Sequence, residues 1–162
     1  MHRFFVIILL VASIPAAAFA QSQGERRGWG YAFTGLAGNS GSNSGPRFTV
    51  GGGGEVLFYR GLGIGGDLSY VTAPNRNGSG VGFGSVDLAY HFNRAGKVVP
   101  FVTGGASAAF NGSGGSAGGG NFGGGLQYWA KDHVGVRFEV RDQVFSSDSP
   151  HLYTIRIGVT FR

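Results

Sequence analysis

No cysteine occurs among the 162 residues, so disulfides and thiolate metal sites are excluded. Charge is scarce as well: Asp, Glu, Lys and Arg make up 13% of the chain, against roughly 25% in soluble domains. Large aliphatic and aromatic residues are not depleted, so the low charge does not signal disorder. Proline is rare while 33 residues are glycine, and these lack the three-residue period of a collagen helix. No apolar run reaches the about 20 residues that a membrane-crossing helix requires. The basic excess, 13 against 8, is scattered along the chain rather than clustered, which argues against a nucleic-acid partner. What remains is a Gly-rich, aromatic, charge-poor sequence suited to a sheet in an unusual solvent.

The longest apolar run, Phe4–Ile14, follows Met1-His2-Arg3 and leads into Pro15 and a small-residue stretch. Ala18-Phe19-Ala20 has the form of a secretory cleavage site. Residues 1–20 are therefore expected to be a signal peptide, cut between Ala20 and Gln21. Residues 21–28 form a polar lead-in, and residues 29–162 form one domain. An exported chain without a spanning helix enters a membrane only as a closed barrel, because strands alone must satisfy every backbone group.

The domain divides into eight stretches with strand character, most showing period-2 alternation. Val134, Val136, Phe138 and Val140 alternate with Gly135, Arg137, Glu139 and Arg141. Tyr153, Ile155, Ile157, Val159 and Phe161 alternate with Thr154, Arg156, Gly158 and Thr160. In 121–130, Phe122, Leu126 and Tyr128 oppose Asn121, Gly123, Gly125 and Gln127. In 82–93, Val86, Leu88, Tyr90 and Phe92 oppose Ser85, Asp87, His91 and Asn93. In 62–71, Leu62, Ile64, Leu68 and Tyr70 oppose Gly63, Gly65, Asp67 and Ser69. In 47–59, Phe48, Val50, Val56 and Phe58 oppose Thr49, Gly51, Gly53 and Glu55. In 29–37, Trp29, Tyr31 and Phe33 oppose Gly30, Ala32 and Thr34. Stretch 97–110 is apolar on both parities, and its faces are not assigned. Connections 38–46, 72–80, 111–117 and 145–150 are Gly/Ser/Asn-rich. They alternate with tight turns at Arg60-Gly61, Asn93–Lys97 and Lys131-Asp132-His133. Long–short alternation and an even strand count are the pattern of an all-β, eight-stranded, antiparallel up-and-down transmembrane barrel.

Three features direct the apolar set outward. It is too bulky for an eight-stranded interior, which side chains just fill. The other set, mostly Gly, Ala, Ser and Thr, makes a poor water-facing surface. Aromatics cluster at strand ends as two belts: Trp29, Tyr31, Phe58, Tyr90, Phe92, Tyr128 and Phe161 toward the short turns, and Phe48, Tyr70 and Tyr153 toward the long loops. The inward set then holds Glu55, Asp67, Asp87, Arg137, Glu139, Arg141 and Arg156. Buried charges of both signs must pair, so these residues are expected to form an ion-pair network that plugs the lumen. On this assignment Val136→Arg costs roughly 2–4 kcal/mol in the bilayer, and Gly135→Ser, on the inner wall, is the milder change.

Other signals are weaker. Gly61-x-Gly63-x-x-Gly66 matches a dinucleotide fingerprint, but strand alternation runs through it where a helix is required. His91, His133 and His151 lack metal-ligand spacing, so neither metal nor cofactor is expected. Ser149, His151 and Asp148 lie close together and could serve a lipid hydrolase. Catalytic residues are nevertheless not expected, and a narrow pore is the nearer alternative.

Pro100-Phe101-Val102 with the following Gly-Gly-Ala, the stretch Asn121–Tyr128, the run Val134–Asp142 and the terminal Ile157–Phe161 resemble the OmpA-like family of outer-membrane β-barrel domains. The resemblance implies an integral envelope protein inserted by the outer-membrane assembly machinery, which reads a C-terminal strand ending in an aromatic residue. Here Phe161 is penultimate and Arg162 follows it. The expected partners are outer-membrane lipid and that machinery, with no nucleic acid, and the expected state is a monomer.

Overall fold

The computed structural model describes residues 28–40, 45–72, 80–93, 95–112, 114–146 and 151–162. The leader, its Ala20/Gln21 cleavage site, Asp148 and Ser149 lie outside the described residues. Every regular element among these residues is a strand: β1 (Gly28–Asn39), β2 (Arg47–Tyr59), β3 (Leu62–Val71), β4 (Val81–His91), β5 (Val98–Asn111), β6 (Ser116–Trp129), β7 (Val134–Phe145) and β8 (Leu152–Phe161). Each pairs antiparallel with the next, and β1 pairs with β8, so the sheet closes into a barrel with no free edge. Closure satisfies the backbone within the sheet and removes the template that an open edge offers to other strands.

The turns follow from local chemistry. Arg60 and Gly61 both have positive φ, 38° and 99°, as a two-residue hairpin of the primed type demands. Just before them the β2–β3 register shifts between Leu57 and Tyr59. This irregularity leaves Phe58 and Tyr59 both on the outside, 51% and 61% exposed, and adds Tyr59 to the aromatics of that end. The β5–β6 connection is shorter than the expected loop 111–117. Ser116–Gly120 extend β6 beyond the expected start at Asn121, and the hairpin closes where the Asn111 side chain accepts from the Gly115 amide at 2.9 Å. These residues carry almost no side-chain bulk, so no alternation marked them as strand.

The inner wall is lined by glycines opposite large side chains. A Cβ on Gly53 would stand 2.8 Å from the Tyr31 hydroxyl, and one on Gly51 would stand 2.6 Å from the Phe33 ring. At Gly135 an added side chain meets backbone. A Cβ there would lie 2.5 Å from the Tyr128 carbonyl oxygen and 3.0 Å from the Thr160 methyl. Gly118, by contrast, has open space around the same position. Gly135→Ala is therefore expected to lower stability by about 1–3 kcal/mol, the usual range for overpacking, and Gly118→Ala by less than about 0.5 kcal/mol. Urea titrations followed by heat-dependent gel mobility measure both, and equal midpoints for the two variants would contradict the packing.

Candidate functional site

The lumen is where the chain concentrates its chemistry. Glu55 of β2, Asp67 of β3 and Asp87 of β4 stand on one wall; Arg137, Glu139 and Arg141 of β7 and Arg156 of β8 stand on the facing wall, and all seven are buried. Arg141 is the hub. Its Nη1 lies 3.0 Å from both Asp67 and Asp87 and donates to Ser85 Oγ, while its Nε donates to Glu139 at 2.6 Å. Arg137 holds Glu139 at 3.0 Å and reaches Glu55 at 3.6 Å. Arg156 Nη1 lies 3.3 Å from Asp67 across the lumen. The network continues through amides and hydroxyls. Asn121 donates to Asp87 and Ser107, each at 2.8 Å, and Gln143 donates to Ser107 at 3.3 Å. Arrays of this kind hold charge only because each group meets an opposite one where water is scarce.

One member of the network was not singled out from the sequence. His91 Nε2 lies 2.5 Å from Glu55 Oε1, and its ring stacks on Phe101 and meets Trp29 edge-on. Through Glu55 it joins the network, since Arg137 reaches the other oxygen of that carboxylate at 3.6 Å. Its inward parity on β4, shared with Asp87, was the available signal.

The first strand is reversed from expectation. Trp29, Tyr31 and Phe33 point into the lumen, 5%, 5% and 7% exposed, and Trp29 and Tyr31 are not part of the outer belt. The reason is volume and charge together. Inner glycines on β2 and β8 leave room that β1 must fill, since Tyr31 pairs with Gly53 and Phe33 with both Gly51 and Gly158. The same rings carry the arginines. The Arg137 guanidinium stands 4.7 Å from the Tyr31 ring and 3.8 Å from Phe101, and Arg156 stands 4.6 Å from Phe33. A planar cation stacked on a ring face gains attraction that its carboxylate partners do not supply.

Two apolar clusters accompany the charged layer. Trp29, Tyr31, Phe33, Leu57, Val99 and Trp129 pack together toward the short turns. Ala37, Val71, Phe83 and Leu152 pack toward the long loops, with Val81, Ala109 and Phe145 against them. Strand β5, unassigned from its sequence, turns Val99, Phe101, Thr103 and Ser107 inward and Val98, Val102 and Phe110 outward.

On the exterior, Phe58, Tyr90, Phe92, Tyr128 and Phe161 are exposed near the short turns, and Phe48, Tyr70 and Tyr153 near the long loops. Tyr59 and Phe110 join these two groups. Asp142 breaks the pattern: it belongs to the outward set of β7, and its Oδ2 meets His151 Nδ1 at 2.8 Å, with His151 stacked on Tyr153. Asp142 is thus the acid that meets His151 among the described residues, which do not include Asp148 or Ser149. Among the described residues no group of three or more His, Asp or Glu side chains could hold a metal ion.

No family model matches this sequence, and no curated protein does. Solved structures match over most of its length. The N-terminal β-barrel domain of Pseudomonas aeruginosa OprF is 16% identical, with a TM-score of 0.63, covering 86% of this chain and all of that one. Neisserial surface protein A is 15% identical with a TM-score of 0.61, covering 83% of this chain and 94% of that one. The Yersinia pestis attachment invasion locus protein Ail is 13% identical with a TM-score of 0.58, covering 83% and 95%. At these identities the likeness is one of fold: the eight-stranded barrel of small outer-membrane proteins.

Removing the hub tests the network. Arg141→Ala leaves Asp67, Asp87 and Glu139 short of a partner together, and an uncompensated buried charge costs on the order of 3–5 kcal/mol. Arg47→Ala, at the barrel rim, is expected to change stability by less than about 0.5 kcal/mol. The comparison is made by chemical unfolding in lipid vesicles.

Proposed function

We propose that this chain is an exported, integral outer-membrane protein of the OmpA-like kind, non-enzymatic, with a role in envelope structure or surface interaction and a lumen closed by its ion-pair network. The observation that carries the reading is the inversion of polarity across one sheet. Val50, Ile64, Leu68, Val86, Leu88, Ile155 and Ile157 are about half exposed on the outside, while the charges are buried within. An apolar surface that surrounds the whole barrel, bracketed by aromatics, is matched to hydrocarbon rather than to water. The reading places the three tight turns on the periplasmic side. Lipid is its principal partner, and the assembly machinery engages β8 near Phe161. A closed barrel has no edge to share, which fits a monomer.

A closed lumen separates this function from that of a narrow pore. The charged layer is cross-linked through both walls and is accompanied by two clusters of packed rings and aliphatic side chains. In planar bilayers the wild-type protein is expected to conduct almost nothing, and an Arg137→Ala/Arg141→Ala variant to leak measurably. A large, steady wild-type conductance would overturn the plug and favour the pore.

A further inference from the structure

We propose that the short-turn rim binds the phosphate headgroups of anionic phospholipids. The inference rests on the membrane reading above and adds a ligand to it. The turns β2–β3, β4–β5 and β6–β7 all lie at one end of the barrel, and they present Arg60, Lys97 and Lys131, each exposed. Arg162 closes the ring at the same end. Its amide donates to the His133 carbonyl at 3.1 Å and its Nε to the Asp132 carbonyl at 2.7 Å, with its guanidinium 4.0 Å over Trp129. Asp132 is the one acidic side chain among the described residues of these turns. At the opposite rim, Arg47 is the single lysine or arginine among the described residues. A solvated face disperses both signs, whereas the described residues of this barrel concentrate one sign at one end.

Geometry makes the collar a binding surface rather than loose charge. Each cation sits on a turn whose backbone is hydrogen-bonded: the His91 amide to the Gly61 carbonyl at 2.8 Å, the Trp129 amide to the Lys97 carbonyl at 2.8 Å, and the Lys131 amide to the Val134 carbonyl at 3.0 Å. Less backbone freedom is therefore lost on binding. Just below stand the outward aromatics Phe58, Tyr59, Tyr90, Phe92, Tyr128 and Phe161, with Arg60 itself 5.4 Å from the Tyr59 ring. Such rings settle at the headgroup level, which brings the cations to the depth of the phosphates. Zwitterionic lipid offers each phosphate already neutralised; anionic lipid leaves it free for a cation.

The test uses the folded mature chain in phosphatidylcholine vesicles carrying traces of spin-labelled phosphatidylglycerol or phosphatidylcholine. The motionally restricted fraction of each label is read by electron paramagnetic resonance. Enrichment of phosphatidylglycerol by about fivefold is expected if one cation acts on each lipid. It should fall to near unity in Arg60→Gln/Lys97→Gln/Lys131→Gln and in 1 M salt, where screening acts within about 3 Å, and it should persist in Arg47→Gln. If the triple variant does not fold, the salt titration of the wild type decides. Equal restricted fractions for both labels, or enrichment unaffected by the triple substitution or by salt, would overturn the collar and leave the membrane barrel standing. Absence of any restricted component would overturn the membrane reading and the collar with it.

Discussion

Three guanidiniums point into an interior that excludes most water, and the rest of the barrel is arranged around neutralising them. Arg137, Arg141 and Arg156 lie on two neighbouring strands, where alone they would repel one another. Their carboxylate partners come mainly from β2, β3 and β4 on the facing wall, so the ion pairs span the barrel instead of decorating one side. A barrel opened between these walls would leave charges of both signs unpaired in a medium of low dielectric, where the penalty is steep. The electrostatics thus require the same closure that the backbone hydrogen bonds require.

Space for those side chains comes from glycine. Arginines, rings and carboxylates are too large for an eight-stranded interior unless the wall opposite them is bare. Gly51, Gly53 and Gly158 make room for Tyr31 and Phe33, and those rings in turn carry the arginines. The high glycine content is therefore part of the packing of the lumen. It also explains why a methyl group on the inner wall is a heavier change than its size suggests.

Strand β7 was legible because valine or phenylalanine alternates there with arginine and glutamate, and charge marks the inner face without ambiguity. Strand β1 carries no charge. Its alternation of large and small residues reads equally well with either set inside; bulk directs the large set outward by sequence, whereas in the structure it points in. The deciding information lay in its neighbours, whose inner positions are glycines that need a bulky partner. Strand β5 was silent because both parities are apolar, and the start of β6 because its residues have no bulk. Tyr59 escaped the parity rule through the register shift, and Asp142 through its pairing with His151 on the outer face. His91 shares the inward parity of Asp87, yet parity alone does not say that its ring meets Glu55. In each of these cases tertiary context decided what the local period could not.

The central claim is that charges from opposite walls hold each other in place, and a double-mutant cycle across the lumen tests it most directly. Arg156 of β8 and Asp67 of β3 are not on adjacent strands, so a coupling between them measures the cross-lumen contact itself. Unfolding free energies in lipid vesicles would be measured for Arg156→Met, Asp67→Asn and the pair. The account predicts strong non-additivity, on the order of 0.5–3 kcal/mol, with the double variant less damaged than the sum of the singles. Additivity within about 0.3–0.5 kcal/mol would show that the two walls do not depend on each other, and would contradict it.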